Sequence, residues 1–253
     1  TLDSTLGLTT SLGDVLRTTV ILHFFKNDCV HWLVDQEAVP LLKNNKYIKR
    51  IWVYNSSALD MLKKERFDVI VNLEKLPRVC QFSDSLLAEE YFGFSKYSKG
   101  NGRLVQLSQD LTKRRKNKDC WQKILAEALA KKWNGHPYML SYKPKTKTCY
   151  DIGFNWTTSS KWKNKAWPRD YWHRLEDLIK GKYSISWQQG LNSLYEYMDW
   201  INSSKLIITA DTLGLHLSLA LKKRVIALFG PTSSQEVYFY NCGSFLLPDI
   251  PYK

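Results

Sequence analysis

The residues with the clearest chemical potential lie in the run Ile207-Ile208-Thr209-Ala210-Asp211-Thr212-Leu213-Gly214-Leu215-His216. A short apolar stretch there gives way to Asp211 and Thr212 and then to helical periodicity. A buried strand thus delivers a carboxylate and a hydroxyl to a helix start, where free backbone N–H groups and the positive dipole end attract phosphate. Gly214 has no Cβ and would let a ligand approach the backbone closely. The same residues also suit a plain helix cap, with Asp211 or Thr212 as N-cap and Gly214 as a packing concession. His216, one turn into the helix, serves either a ligand or the core.

Other chemistries find less support. His23, His31, His136 and His173 have no metal-binding spacing. Five scattered cysteines without a CxxC pair read as reduced structural thiols. A net charge of +13 points to an anionic partner, which could be nucleic acid, phosphorylated lipid headgroups or a nucleotide. The densest basic run, residues 113–118, has no interleaved aromatic side chains to stack on bases and reads as a solvated loop. Apolar runs such as 69–71 and 206–208 fall far short of the roughly 20 residues needed to cross a bilayer. The N-terminus also lacks a basic start followed by an apolar stretch. A cytoplasmic protein is expected.

These groups need elements to position them. The chain has 253 residues, 44% of them hydrophobic, which suffices for two lobes of roughly 100–150 residues each. Short apolar runs alternate with helical patterns, the signature of βαβ units and parallel sheets. In the first half the pattern predicts strands at 6–10, 30–34, 51–54 and 67–73, the last buried on both faces. Helices are predicted at 15–25, 38–44, 57–64 and 120–133. Residues 142–148 alternate lysine with Pro144 and threonine and read as a linker, giving lobes 1–147 and 148–253. Beyond it strands are predicted at 150–156, 183–187, 205–210 and 224–229, with helices at 168–180, 194–201 and 213–221. The fold class is α/β, two Rossmann-like lobes whose open parallel sheets bind ligands at the carboxyl ends of their strands, so the chemistry is expected in the cleft between them.

Taken with its surroundings, the Asp211–His216 run resembles the donor-binding signature of the heptosyltransferases, glycosyltransferase family 9. The family pattern is an Asp-(Ser/Thr)-x-x-x-His helix start followed by a strand ending in Phe-Gly-Pro-Thr, here Phe229-Gly230-Pro231-Thr232. The glycine that usually follows Asp-(Ser/Thr) is Leu213, with Gly214 one place later. Two further segments match in order. Ser11-Leu12-Gly13-Asp14-Val15-Leu16 is similar to the family's opening motif, in which the aspartate is the proposed general base; from the residues alone, Ser11 or Asp14 would serve equally as a helix cap. Thr157-Thr158 with Lys165-Ala166-Trp167-Pro168 resembles the threonine and lysine segment of the second lobe, and Lys161 competes with Lys165 for the lysine's place.

The resemblance implies a GT-B architecture and an inverting transfer of heptose from an ADP-heptose donor to a lipopolysaccharide-type or other bacterial glycan acceptor. It implies Asp14 as base, with Thr157, Thr158, Lys165, Asp211, Thr212, Gly214, Leu215 and His216 holding the sugar-nucleotide donor. No metal and no cofactor beyond the ADP-sugar substrate are expected, and no nucleic acid. An anionic glycolipid or glycan is the expected acceptor, with peripheral contact at an anionic membrane surface suited by the basic charge. Ser186-Trp187-Gln188-Gln189-Gly190 would contact the base of the nucleotide. The rivals are a GT-B enzyme using a different nucleotide sugar and a non-catalytic basic binding protein on the same fold.

Overall fold

The computed structural model describes residues 11–96, 113 and 116–249. The chain divides into two compact units, the first ending at His136 and the second starting at Pro137. Among the described residues no helix is long and apolar enough to cross a membrane. The predicted strand at 6–10 and, within the basic run 113–118, Arg114 and Arg115 lie outside the described residues.

The first unit opens with α1 (Leu12–Thr18), which tightens into a 3-10 turn at Thr19–His23. The sequence predicts one helix over 15–25. The change of winding falls where two β-branched hydroxyls fold back: Thr18 Oγ1 donates to the Val15 carbonyl at 2.7 Å, and Thr19 Oγ1 to that of Leu16 at 2.6 Å. Strand β1 (His31–Val34) runs parallel to β2 (Arg50–Val53), and β3 (Arg66–Asn72) runs parallel to β4 (Leu87–Gly93). Helices α2 (Val39–Leu42), α3 (Ser56–Leu62), α4 (Pro77–Asp84) and α5 (Trp121–Ala128) complete the described part.

The pleat assigns alternate strand residues to two cores. Trp32, Val71 and Phe92 pack with Val20, Ile21, Ile124, Leu125 and Leu129. Their neighbours Leu33 and Ile70 pack instead with Trp52, Ala58, Leu62 and Leu86. The expectation that β3 is buried on both faces fails over its first half, where Arg66, Asp68 and Val69 are exposed and Val69 pairs with Glu90. Helix α5 stops well short of residue 133. Ala130 takes a left-handed φ of 51°, and the N–H of Lys131 bonds back to the Ala126 carbonyl at 2.9 Å, closing a Schellman turn.

The second unit is a five-stranded parallel sheet in the order β6-β5-β7-β8-β9, built from β5 (Tyr150–Asn155), β6 (Ile185–Trp187), β7 (Ser204–Ala210), β8 (Arg224–Leu228) and β9 (Gly243–Leu246). Its helices are α6 (Arg169–Ile179), α7 (Leu194–Asn202) and α8 (Leu213–Ala220). In sequence terms the strand order is 2-1-3-4-5, so the winding reverses between β5 and β7. That switch point is where open α/β sheets leave a crevice at their carboxyl edge. Residues 142–148, predicted as a linker, are strapped onto α7. The Tyr142 hydroxyl, the Lys145 N–H and the Thr146 hydroxyl all donate to Asp199, at 3.1, 2.7 and 2.6 Å.

An aromatic slab fixes α6 against β5. Trp172 is fully buried, with ring centroids 5.1 Å from those of both Phe154 and Trp167, and Trp187 closes the other side of Phe154 at 5.2 Å. Truncating Trp172 to alanine is expected to cost about 3–5 kcal/mol, the usual range for an aromatic ring removed from a dry core. Urea denaturation of Trp172→Ala checks this, and a loss below about 1 kcal/mol would contradict the packing described.

Candidate functional site

At the carboxyl edge of β5 and β7 the chain gathers polar side chains beneath the start of α8. Asn155 ends β5 and Ala210 ends β7, so Asp211 and Thr212 form the turn between β7 and the helix. Thr212 is the N-cap, and its hydroxyl oxygen accepts the Gly214 N–H at 3.3 Å. The Asn155 amide nitrogen donates to Thr209 Oγ1 at 2.7 Å and to Thr212 Oγ1 at 3.1 Å, and the Tyr197 hydroxyl on α7 donates to Asn155 Oδ1 at 2.7 Å. Asn155 and Thr209 are almost fully buried. Burial also pushes the Tyr197 phenol well above its ordinary value.

Asp211 carries the site's charge. Lys165, at the end of the 3-10 segment Ser160–Lys165, donates to Asp211 Oδ2 at 2.8 Å and to the Asp211 carbonyl at 3.0 Å. Both side chains are 14% exposed. Burial pushes the Asp211 carboxyl up. The Lys165 ammonium, His216 and the nearby Thr232 hydroxyl outweigh it and hold the pKa below the ordinary carboxylate value. On the far side, His216 Nε2 lies 3.9 Å from Asp211 Oδ1, and His216 Nδ1 meets the Tyr138 hydroxyl at 3.3 Å. Gly230 approaches the turn that carries Lys165: a Cβ built on it would sit 3.7 Å from the Asn164 carbonyl oxygen.

Lys165, Asp211, Thr212 and His216 are therefore brought together, with three differences from the sequence reading. Gly214 is not open to a ligand. A Cβ there would fall 2.3 Å from Asn155 Nδ2 and 2.5 Å from the Tyr197 hydroxyl, so the glycine makes room for the polar cluster behind the helix. Leu215 is fully buried and its N–H bonds to the Thr212 carbonyl at 3.1 Å, which makes it a core residue. His216 is 4% exposed and sits behind Asp211, buttressing the carboxylate.

Thr157 and Thr158 lie on the strand β5 exit. Thr157 Oγ1 donates to Gln188 Oε1 at 2.9 Å, and the Trp156 indole N–H donates to the Gln188 carbonyl at 2.9 Å, so the loop after β6 is tied to the same exit. The side chain of Lys161 lies outside the described ones. Asn155 and Tyr197 were not singled out from sequence. A polar residue closing the apolar Ile152-Gly153-Phe154 run was a usable signal for Asn155; nothing local marks Tyr197.

In the first unit, Asp14 stands in the first turn of α1 with its side chain 53% exposed. The Ser11 hydroxyl donates to Asp14 Oδ2 at 2.5 Å, and Arg17 Nη1 lies 3.4 Å from Asp14 Oδ1. Ser11 holds the carboxylate and makes no side-chain cap of its own. Among the described residues no group of three or more His, Cys, Asp or Glu side chains is placed to hold a metal ion.

Comparison with known proteins agrees with this layout. Residues 190–242, which carry α7, β7, α8 and β8, match the family model for glycosyltransferase family 9 (heptosyltransferase). Lipopolysaccharide heptosyltransferase 1 of Campylobacter coli is 28% identical over 101 residues; the match covers 35% of this chain and 29% of that relative's length. Among solved structures, the glycosyl transferase family 9 protein of Veillonella parvula DSM 2008 has a TM-score of 0.69 at 17% identity, covering 96% of this chain and 86% of that one. The E. coli heptosyltransferase WaaC, solved with ADP-2-deoxy-2-fluoro heptose, has a TM-score of 0.68 at 15% identity, covering 94% and 90%. The fold is thus the GT-B type, and the chain resembles the heptosyltransferases both in the sequence around its candidate site and in its fold.

The Asp211 pair has a defined acid signature. A carboxyl whose folded pKa lies below its unfolded value near 3.9 adds stability that is complete above about pH 5 and is lost as pH falls through the folded value. Asp211→Asn is expected to be less stable than wild type at pH 7, with the gap narrowing below about pH 4. Urea midpoints of both proteins at neutral and acid pH measure it; a gap independent of pH would show that the charge contributes nothing.

Proposed function

We propose that this chain is an inverting glycosyltransferase that moves a heptose from ADP-heptose to a lipopolysaccharide-type or other bacterial glycan acceptor. The observation that carries the reading is the largely buried Lys165–Asp211 pair at the switch point, set beside the start of α8. An ammonium has three N–H donors, and Asp211 takes two of those on Lys165. The third is available to a phosphate oxygen. When the sugar leaves ADP, negative charge grows on the departing phosphate, and a cation already held in place stabilises the transition state more than the ground state. Thr158 and Thr212 add hydroxyl donors from the same carboxyl edge, and Thr157 would join them by exchanging its Gln188 partner for a phosphate oxygen, so the reading calls for no divalent metal.

Asp14 is the proposed general base. One carboxylate oxygen takes the proton of the acceptor hydroxyl, whose oxygen attacks the anomeric carbon as the bond to the phosphate breaks, inverting the configuration. A base must come within about 3 Å of that hydroxyl, and the exposed carboxylate, oriented by Ser11 and Arg17, suits the task. The chain's net charge of +13 suits a phosphorylated acceptor, and with it a cytoplasmic protein touching the anionic inner face of a membrane.

Lys165→Ala is expected to weaken ADP binding by about tenfold or more, the loss of one charge-assisted hydrogen bond. Asp14→Ala should leave ADP affinity within about twofold yet lower turnover by about a hundredfold or more. Calorimetric titration with ADP, UDP and their sugars, alongside a transfer assay, measures both. Preference for UDP over ADP would overturn the donor assignment. Salt-sensitive binding to nucleic acid with no affinity for nucleoside diphosphates would overturn the enzyme reading.

A further inference from the structure

The polar cluster behind Thr212 has a defined direction of hydrogen bonding. Thr209 Oγ1 lies 2.9 Å from the Ala210 carbonyl, which can only accept, so the Thr209 proton is committed there. Its oxygen must then accept from Asn155 Nδ2, which fixes the amide with its carbonyl oxygen toward Tyr197, whose buried hydroxyl donates to it. Thr212 Oγ1 consequently accepts twice, from Asn155 Nδ2 and from the Gly214 N–H. Both lone pairs of that oxygen are taken, and its proton is what it has left to offer. Its remaining neighbours are Thr209 Oγ1, 3.3 Å away, and the Tyr197 hydroxyl, and a phosphate oxygen would replace both as the partner of that proton.

We propose that Asn155 and Tyr197 are positioning residues for the diphosphate: they hold the Thr212 hydroxyl with its proton directed at a phosphate oxygen. Neither residue touches the ligand in this scheme. Tyr197 orients Asn155, Asn155 occupies the acceptor side of Thr212, and Thr212 makes the contact. Gly214 is part of the device, because any side chain at that position would displace both. The inference rests on the nucleoside-diphosphate reading above and adds to it the residues that set the polarity of the anion site.

A double-mutant cycle separates this role from mere structural support. ADP and adenosine are titrated into wild type, Tyr197→Phe, Thr212→Val and the double variant, with thermal unfolding checking that each is folded. Tyr197→Phe is expected to weaken ADP about fivefold while leaving adenosine within about twofold. In the Thr212→Val background the same change should alter ADP affinity by less than about twofold, since the hydroxyl through which Tyr197 acts is gone. Equal losses in both backgrounds, or equal losses for adenosine and ADP, overturn the proposal. Should Tyr197→Phe unfold at the assay temperature, Asn155→Ser in the same two backgrounds asks the same question. Wild-type protein that binds no nucleoside diphosphate overturns the functional reading and this inference together, whereas ADP binding with an additive cycle overturns the inference alone.

Discussion

Taking the Asp211 carboxylate out of water costs several kcal/mol, and a cation at hydrogen-bond distance is what offsets it. Lys165 meets it at 2.8 Å, and much of the second unit's carboxyl edge follows from that need. The chain leaving β5 must return through the Ser160–Lys165 turn to reach the end of β7. Gly230 comes within ordinary contact distance of that turn, and His216 on α8 stands 3.9 Å from the other carboxylate oxygen. A buried pair of this kind contributes little net stability. It does place one positive charge with small positional freedom at the point where the sheet's winding reverses.

The second unit was largely legible because its strands are short apolar runs with turn residues at each end. Strands β5, β7 and β8 and helices α6 to α8 fall within a residue or two of the bounds expected from periodicity. Strand β9 was not expected: Gly243, Ser244, Phe245 and Leu246 are all exposed, so no alternation of burial marks them. In the first unit β4 escaped notice for a similar reason, since Glu89 and Glu90 interrupt its apolar pattern and much of it faces solvent. Pro77 at the first turn of α4 was a readable helix signal. The apolar positions of α4 alone, Val79, Cys80 and Phe82, are too few to show a stripe.

At the site, charge and hydroxyl chemistry were readable from residue types, and accessibility was not. Asp211, Thr212 and Lys165 stand where strand ends and helix starts suggest. Gly214 and Leu215 fall within the helix expected at 213–221 and read as donor contacts, but they belong to the packing of α8, which turns both inward. Asn155 and Tyr197 meet only after β5, β7 and α7 have assembled, and their side-chain contact spans 42 positions of sequence. No local pattern encodes such a contact. The Ser11 hydroxyl, a natural cap in the sequence, is drawn instead to the carboxylate three residues on.

The buried amide of Asn155 also bears on how the sheet assembles. Strands β5 and β7 are both apolar along most of their length, so sliding one past the other by two residues would keep every side chain on its proper face. In the native alignment Asn155 stands opposite Thr209, whose hydroxyl receives one of its N–H groups while Thr212, just past the end of the same strand, receives the other. Any shifted pairing would leave that amide in a dry interior without a match, at a cost of a few kcal/mol. A single asparagine thereby excludes the misaligned forms that hydrophobic matching alone would tolerate.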